Sequence, residues 1–80
     1  PDSYWLTIDE TPLTPLQIQA LIGVDGSALD AIQYLANTTI NLGQPPHQQA
    51  AYTVELAGYR VQRQAELLEM AEYAAQQVRL

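Results

Sequence analysis

Two glycines three residues apart, Gly23 and Gly26, carry the chemistry this 80-residue chain most plainly offers. They stand in Ile22-Gly23-Val24-Asp25-Gly26-Ser27-Ala28-Leu29, between two apolar segments. Glycines without side chains let an extended nucleic-acid backbone approach backbone N–H groups. The N-terminus of a following helix adds positive partial charge. Ile22 and Leu29 would form an apolar floor for bases, and Ser27 borders the turn. Arg60 and Arg63 lie about one helical turn apart and share a side, so they can contact phosphate or pair with acids. Glu66 is the nearest partner for Arg63, whereas Arg60 has no acid three or four positions on and must find one elsewhere. Tyr34, on the polar side of its helix, can stack on a base or on a neighbouring segment.

The two middle residues oppose such a ligand. Val24 brings no cation and Asp25 brings a negative charge. A carboxylate about 4 Å from a phosphate costs roughly 1 kcal/mol in water and about 4 kcal/mol at an effective dielectric of 20. At about 1.4 kcal/mol per tenfold, affinity falls by one to several powers of ten. The whole chain points the same way. Its net charge is −6 with no lysine, and its only cations are Arg60, Arg63 and Arg79. Backbone binding scales with the phosphates neutralised, so broad electrostatic capture of nucleic acid or of an anionic membrane is disfavoured.

Other chemistry is poorly supplied. His47 stands alone in a loop, and with no cysteine the chain offers no thiolate metal site or disulfide. Ser27 has no histidine placed for a triad, and helix capping accounts for it better. There is no phosphate-loop Lys-Ser or Lys-Thr pair. The expectation is a non-enzyme without metal or cofactor. No apolar run is long enough to span a membrane, and no signal peptide is visible.

The elements that must position these residues follow from period and punctuation. Tyr4 to Asp9 alternates, with Tyr4, Leu6 and Ile8 on a core face and Trp5, Thr7 and Asp9 opposite, which predicts a strand. Thr14 caps a helix beginning at Pro15, with Gln17 completing a capping box. That helix runs to about Ile22, where Gly23 stops it in a left-handed conformation. Ser27 is the expected N-cap of a longer helix, with Asp30 three residues on. Its inward face is Leu29, Ile32, Leu35, Ala36 and Thr39 or Ile40, while Tyr34, Asn37 and Asn41 point away. Leu42-Gly43-Gln44-Pro45-Pro46 ends it. Ala51 to Ala57 is a second strand, with Tyr52, Val54 and Leu56 inward and Thr53 and Glu55 outward. From Tyr59 or Arg60 to about Val78 there is no Gly or Pro, and a long helix is expected with Val61, Leu68, Ala71, Ala75 and Val78 on one face. Two strands make a marginal sheet, so a further strand from upstream or from a second chain is expected.

Ile22-Gly23-x-x-Gly26-x-x-Leu29-Asp30-Ala31-Ile32-Gln33-Tyr34-Leu35, followed by Gly58-Tyr59-Arg60-x-x-Arg63, resembles the KH domain of the bacterial Jag (SpoIIIJ-associated) RNA-binding proteins. The two motifs frame about two thirds of the chain. Where that family usually has Lys at the first middle position, this chain has Val24, and where it has Thr, this chain has Ala28. The resemblance implies an α+β, KH-type (type II-like) fold: a small sheet covered on one face by three helices, in the order β-α-α-β-α. It implies one domain over residues 1–80, excised from a longer protein. It implies a cytoplasmic partner of single-stranded RNA, held by Ile22, Gly23, Val24, Asp25, Gly26, Ser27, Leu29, Arg60 and Arg63. The family's second module, named for an R-x-x-x-H motif, is not in this sequence. A second expectation is a homodimer or KH-protein partner, in a module that kept the fold and lost nucleic acid.

Overall fold

A computed structural model describes residues 2–78. Strand β1 (Ser3–Thr7) leads into helix α1 (Pro15–Ile22), a one-turn 3-10 segment (Val24–Gly26) and helix α2 (Ser27–Asn41). Another 3-10 turn (Pro46–Gln48), strand β2 (Ala51–Glu55) and helix α3 (Tyr59–Gln77) follow. The fold is therefore α+β in the order β-α-α-β-α. The strands pair in parallel, with Ser3 opposite Ala51 and Thr7 opposite Glu55. Parallel pairing requires a long crossover, which the two helices between the strands provide.

β1 ends earlier than its alternation suggests. Ile8 still donates its N–H to the Glu55 carbonyl at 2.9 Å. Asp9 then turns the chain by accepting the Thr11 N–H on its carboxylate at 3.0 Å. α1 starts at the expected capping box: Thr14 Oγ1 accepts the Gln17 N–H at 3.2 Å, and Gln17 Oε1 accepts the Thr14 N–H at 2.9 Å.

The core is small. Leu29, Val54 and Leu56 are buried, with Ile8, Leu13, Ile18, Leu21, Ile22, Ile32, Ala36 and Tyr59 packed around them. The helices cover β2 far more than β1. Tyr4 and Leu6 on the inward face are 48% and 37% exposed, and Trp5 opposite is 52% exposed. Tyr4 instead stacks on Tyr52 across the strands, ring centroids 5.7 Å apart.

The outer edge of β2 is closed by side chains, and here α2 departs from its apolar pattern. Asn37 and Asn41, expected to point away, face the strand. Asn41 exchanges two hydrogen bonds with the backbone of Ala50, at 2.8 and 2.9 Å, and Asn37 does the same with Tyr52, at 2.7 and 2.8 Å. Gln33 Oε1 accepts the Val54 N–H at 2.9 Å, and the Arg60 Nε–H donates to the Val54 carbonyl. The match is geometric. Four helical residues rise about 6 Å and two strand residues about 6.6 Å, so amides at 33, 37 and 41 meet every second residue of an oppositely running strand. Satisfying buried backbone polar groups outweighs burying Leu35 and Ile40, which are left 61% and 43% exposed.

α3 projects from this body. Among the described residues, its hydrophobic contact with the buried cluster comes through Tyr59 in its first turn. The expected inward face is open: Val61, Leu68 and Val78 are 60%, 61% and 68% exposed. The radius of gyration, 16.3 Å, exceeds the roughly 12 Å of a compact chain of this length for the same reason.

Candidate nucleic-acid interface

The corner between α1 and α2 is built by backbone conformations that side chains tolerate poorly. Gly23 ends α1 with φ 75° and ψ −178°. This is not the left-handed cap expected from the sequence but a region essentially restricted to glycine. A Cβ there would lie 2.7 Å from the Ala28 nitrogen. Asp25 (φ 53°, ψ 30°) and Gly26 (φ 80°, ψ 11°) are both left-handed. They form the centre of a tight turn in which the Ser27 N–H donates to the Val24 carbonyl. Asp is among the few non-glycine residues that visit this region readily.

Gly26, not Ser27, is therefore the N-cap of α2. Ser27 is its first helical residue (φ −61°, ψ −40°), and no side chain caps the helix. To cap the helix with its hydroxyl, Ser27 would have to leave the helical region, where a side-chain cap typically has extended backbone. The preceding left-handed pair brings Ser27 in already helical. Asp30, expected to complete a box with Ser27, turns to Arg60 instead.

The sequence-derived site residues separate into two groups. Val24 is 81% exposed, and Asp25 and Ser27 are exposed as well. Ile22, Gly23 and Val24, with Gln19, line a shallow open groove beside the turn. Leu29, in contrast, is wholly buried and supports the corner from beneath. Gly26 is buried too: a Cβ on it would meet the Tyr59 ring at 2.8 Å.

Arg60 and Arg63 are both engaged. Arg60 Nη1 pairs with Asp30 at 3.0 Å, its Nε–H bonds the Val54 carbonyl, and its side chain is 18% exposed. Its Nη2 is buried without a hydrogen-bond partner among the described residues. Arg63 makes a looser pair with Glu66 at 3.4 Å and is 43% exposed, so it is the more available cation. Tyr34 is 70% exposed, free to stack.

Glu55 was expected on the open face of its strand and is 5% exposed instead. Its carboxylate accepts the N–H groups of Leu56 at 2.9 Å, Arg60 at 2.9 and 3.1 Å and Val61 at 3.2 Å. A carboxylate at a helix N-terminus satisfies open N–H groups and complements the dipole. The turn through Ala57 (φ 51°) and Gly58 (φ 70°) folds the start of α3 back onto it. Alternation alone places Glu55 outward, and nothing in its spacing signals this role. The lack of a partner for Arg60 on its own helix was the sign of a distant acid, which Asp30 supplies.

Among the described residues no group of three or more His, Cys, Asp or Glu is placed to hold a metal ion. Nor is any helix among the described residues long and apolar enough to cross a membrane. Compared with protein-family models, curated proteins and solved structures, the chain has no significant match to any.

Proposed function

We propose that the chain is a single-stranded RNA-binding domain of KH type, similar to that of Jag proteins, which meets the RNA backbone at the Gly23–Gly26 turn. The observation that carries this reading is the uncapped N-terminus of α2, reached through a turn whose middle residues stand out from the surface. Helix N-termini without side-chain caps attract anions, and Ile22 and Val24 give bases an apolar shelf beside it. Binding is weak and salt-sensitive, because Val24 and Asp25 supply no cation and Arg60 is held by Asp30. Titration of isotope-labelled protein with mixed single-stranded RNA tests it. Amides from Gly23 to Leu29 shift if the reading holds, and their silence at millimolar RNA refutes it. Val24→Lys with Asp25→Lys strengthens binding at least tenfold by the Coulomb argument. If RNA binds only in that variant, the natural turn has been tuned away from nucleic acid.

A second reading, a protein-interaction or dimerisation module, is favoured by a different observation. Beyond its first turn α3 offers Leu67, Leu68, Met70 and Tyr73 at 49–65% exposure. A helix of 19 residues gains most of its stability from packing. This reading predicts self-association in a sedimentation experiment, and a monomer at all concentrations counts against the dimer.

A further inference from the structure

The first turn of α2 is gripped at both ends by two consecutive residues of α3. Gly26, its N-cap, lies under the Tyr59 ring, with Cε2 and Oη both 2.8 Å from where a Cβ would sit. Asp30, one helical turn on, is paired to Arg60 at 3.0 Å. Tyr59 and Arg60 are themselves fixed. The Tyr59 N–H donates to the Leu56 carbonyl at 2.9 Å, and Glu55 accepts the Arg60 N–H. Arg60 also reaches the Val54 carbonyl, so the end of β2 joins the same grip.

We infer that Tyr59 and Arg60 are positioning residues that tie the shape of the Gly23–Gly26 turn to the seating of α3. The turn and α3 are then thermodynamically coupled, and coupling is reciprocal. Whatever holds or displaces α3 tightens or loosens the turn, and a ligand on the turn is felt at the start of α3. The remainder of α3, projecting from the core, acts as the lever. Tyr59 acts by packing, since its hydroxyl makes no hydrogen bond among the described residues, so Phe should replace it. Arg60 acts through a fork of donors that reaches a carbonyl and a carboxylate together, which Lys reproduces poorly. The ligand half of the inference rests on the RNA reading above; the coupling itself does not.

The test has two arms on the whole 80-residue chain. The first, without ligand, follows amide hydrogen exchange at Gly26 and Ser27, whose N–H groups bond Gly23 and Val24 within the turn. Tyr59→Ala accelerates these two amides about tenfold more than those of Ile32 to Ala36, through local opening. Tyr59→Phe restores the wild-type rate, and Arg60→Lys gives a smaller acceleration. Should Tyr59→Ala fail to fold, Asp30→Asn breaks only the ion pair and must accelerate the Gly26 and Ser27 amides together with those of Arg60 and Val61, relative to those of Ile32 to Ala36. Uniform acceleration along α2, or none in the turn, overturns the inference. The second arm adds octauridylate. Shifts at the turn that extend to Tyr59–Val61, with affinity lowered about fivefold or more by Tyr59→Ala and restored by Tyr59→Phe, support the coupling. Shifts confined to the turn with unchanged affinity overturn it. If octauridylate shifts nothing, the RNA reading falls and the exchange arm alone decides the coupling.

Discussion

Glu55 holds the start of α3 from inside the protein, and its replacement tests how that helix is anchored. The carboxylate accepts hydrogen bonds from three backbone N–H groups, those of Leu56, Arg60 and Val61. Hydrogen bonds to a charged group contribute roughly 1.5–3 kcal/mol each, and a buried donor left without a partner costs about 1–3 kcal/mol. The three bonds share one carboxylate and are not additive. Glu55→Ala orphans the buried Leu56 N–H and removes the cap of α3, which is itself worth about 0.5–2 kcal/mol. The expected loss is about 3 kcal/mol. Glu55→Gln keeps one acceptor and should lose about half as much. Stability of an 80-residue domain is on the order of 4–12 kcal/mol, so the Ala variant is close to the limit of folding. With a urea m-value of about 1 kcal/mol/M for a chain this small, the midpoint should fall by about 3 M for Ala and 1–2 M for Gln. Urea titration followed by Trp5 fluorescence and by helical circular dichroism measures both. A midpoint for Glu55→Ala within 0.5 M of wild type would refute the anchoring role.

The two glycine environments give a paired test: Gly26→Ala meets both a positive φ and the Tyr59 ring, whereas Gly43→Ala meets only the positive φ in open space. The first should cost about 2–4 kcal/mol and the second about 1 kcal/mol by thermal denaturation. Asn37→Leu strips two backbone partners from Tyr52 and should cost about 2–3 kcal/mol in the same assay; a neutral result would show that the edge of β2 is satisfied by water. The Tyr4 phenol is raised above its ordinary 10.0 by its hydrogen bond to Asp2 and then by the carboxylate's charge. A raised phenol favours the folded state below pH 10, and that contribution is lost as pH climbs through the folded value; carbon-13 tyrosine shifts should show Asp2→Asn returning Tyr4 toward 10.

The candidate site was half legible in the sequence. Gly23 and Gly26 stood out because a helix stop and a restart needed a corner between them. Why they must be glycine was not legible. At Gly26 it is a ring from a residue 33 positions later, and at Gly23 a backbone basin unlike the usual helix cap. The apolar period put Leu29 on the inward face of α2 and the turn reading made it a floor for bases as well; packing keeps only the first, burying it wholly. Arg60 read as a candidate phosphate contact until α3 brought it to Asp30.

What the sequence alone determined was local. Thr14 and Gln17 specify their capping box because both partners lie within one turn. The alternation from Tyr52 to Leu56 selects Val54 and Leu56 for the core, and a run without Gly or Pro makes α3. Only the tertiary structure decided the parallel pairing, the closure of the β2 edge by Gln33, Asn37 and Asn41, the burial of Glu55 and the clasp of Tyr59 and Arg60 on α2. The physical reason is common to all four. Each depends on backbone and side-chain groups meeting across the fold or across a tight turn, and local hydrophobic period carries no record of them. It ranks side chains by apolarity, whereas the closed edge and buried carboxylate arise because backbone N–H and C=O groups, identical in every residue, had to be satisfied.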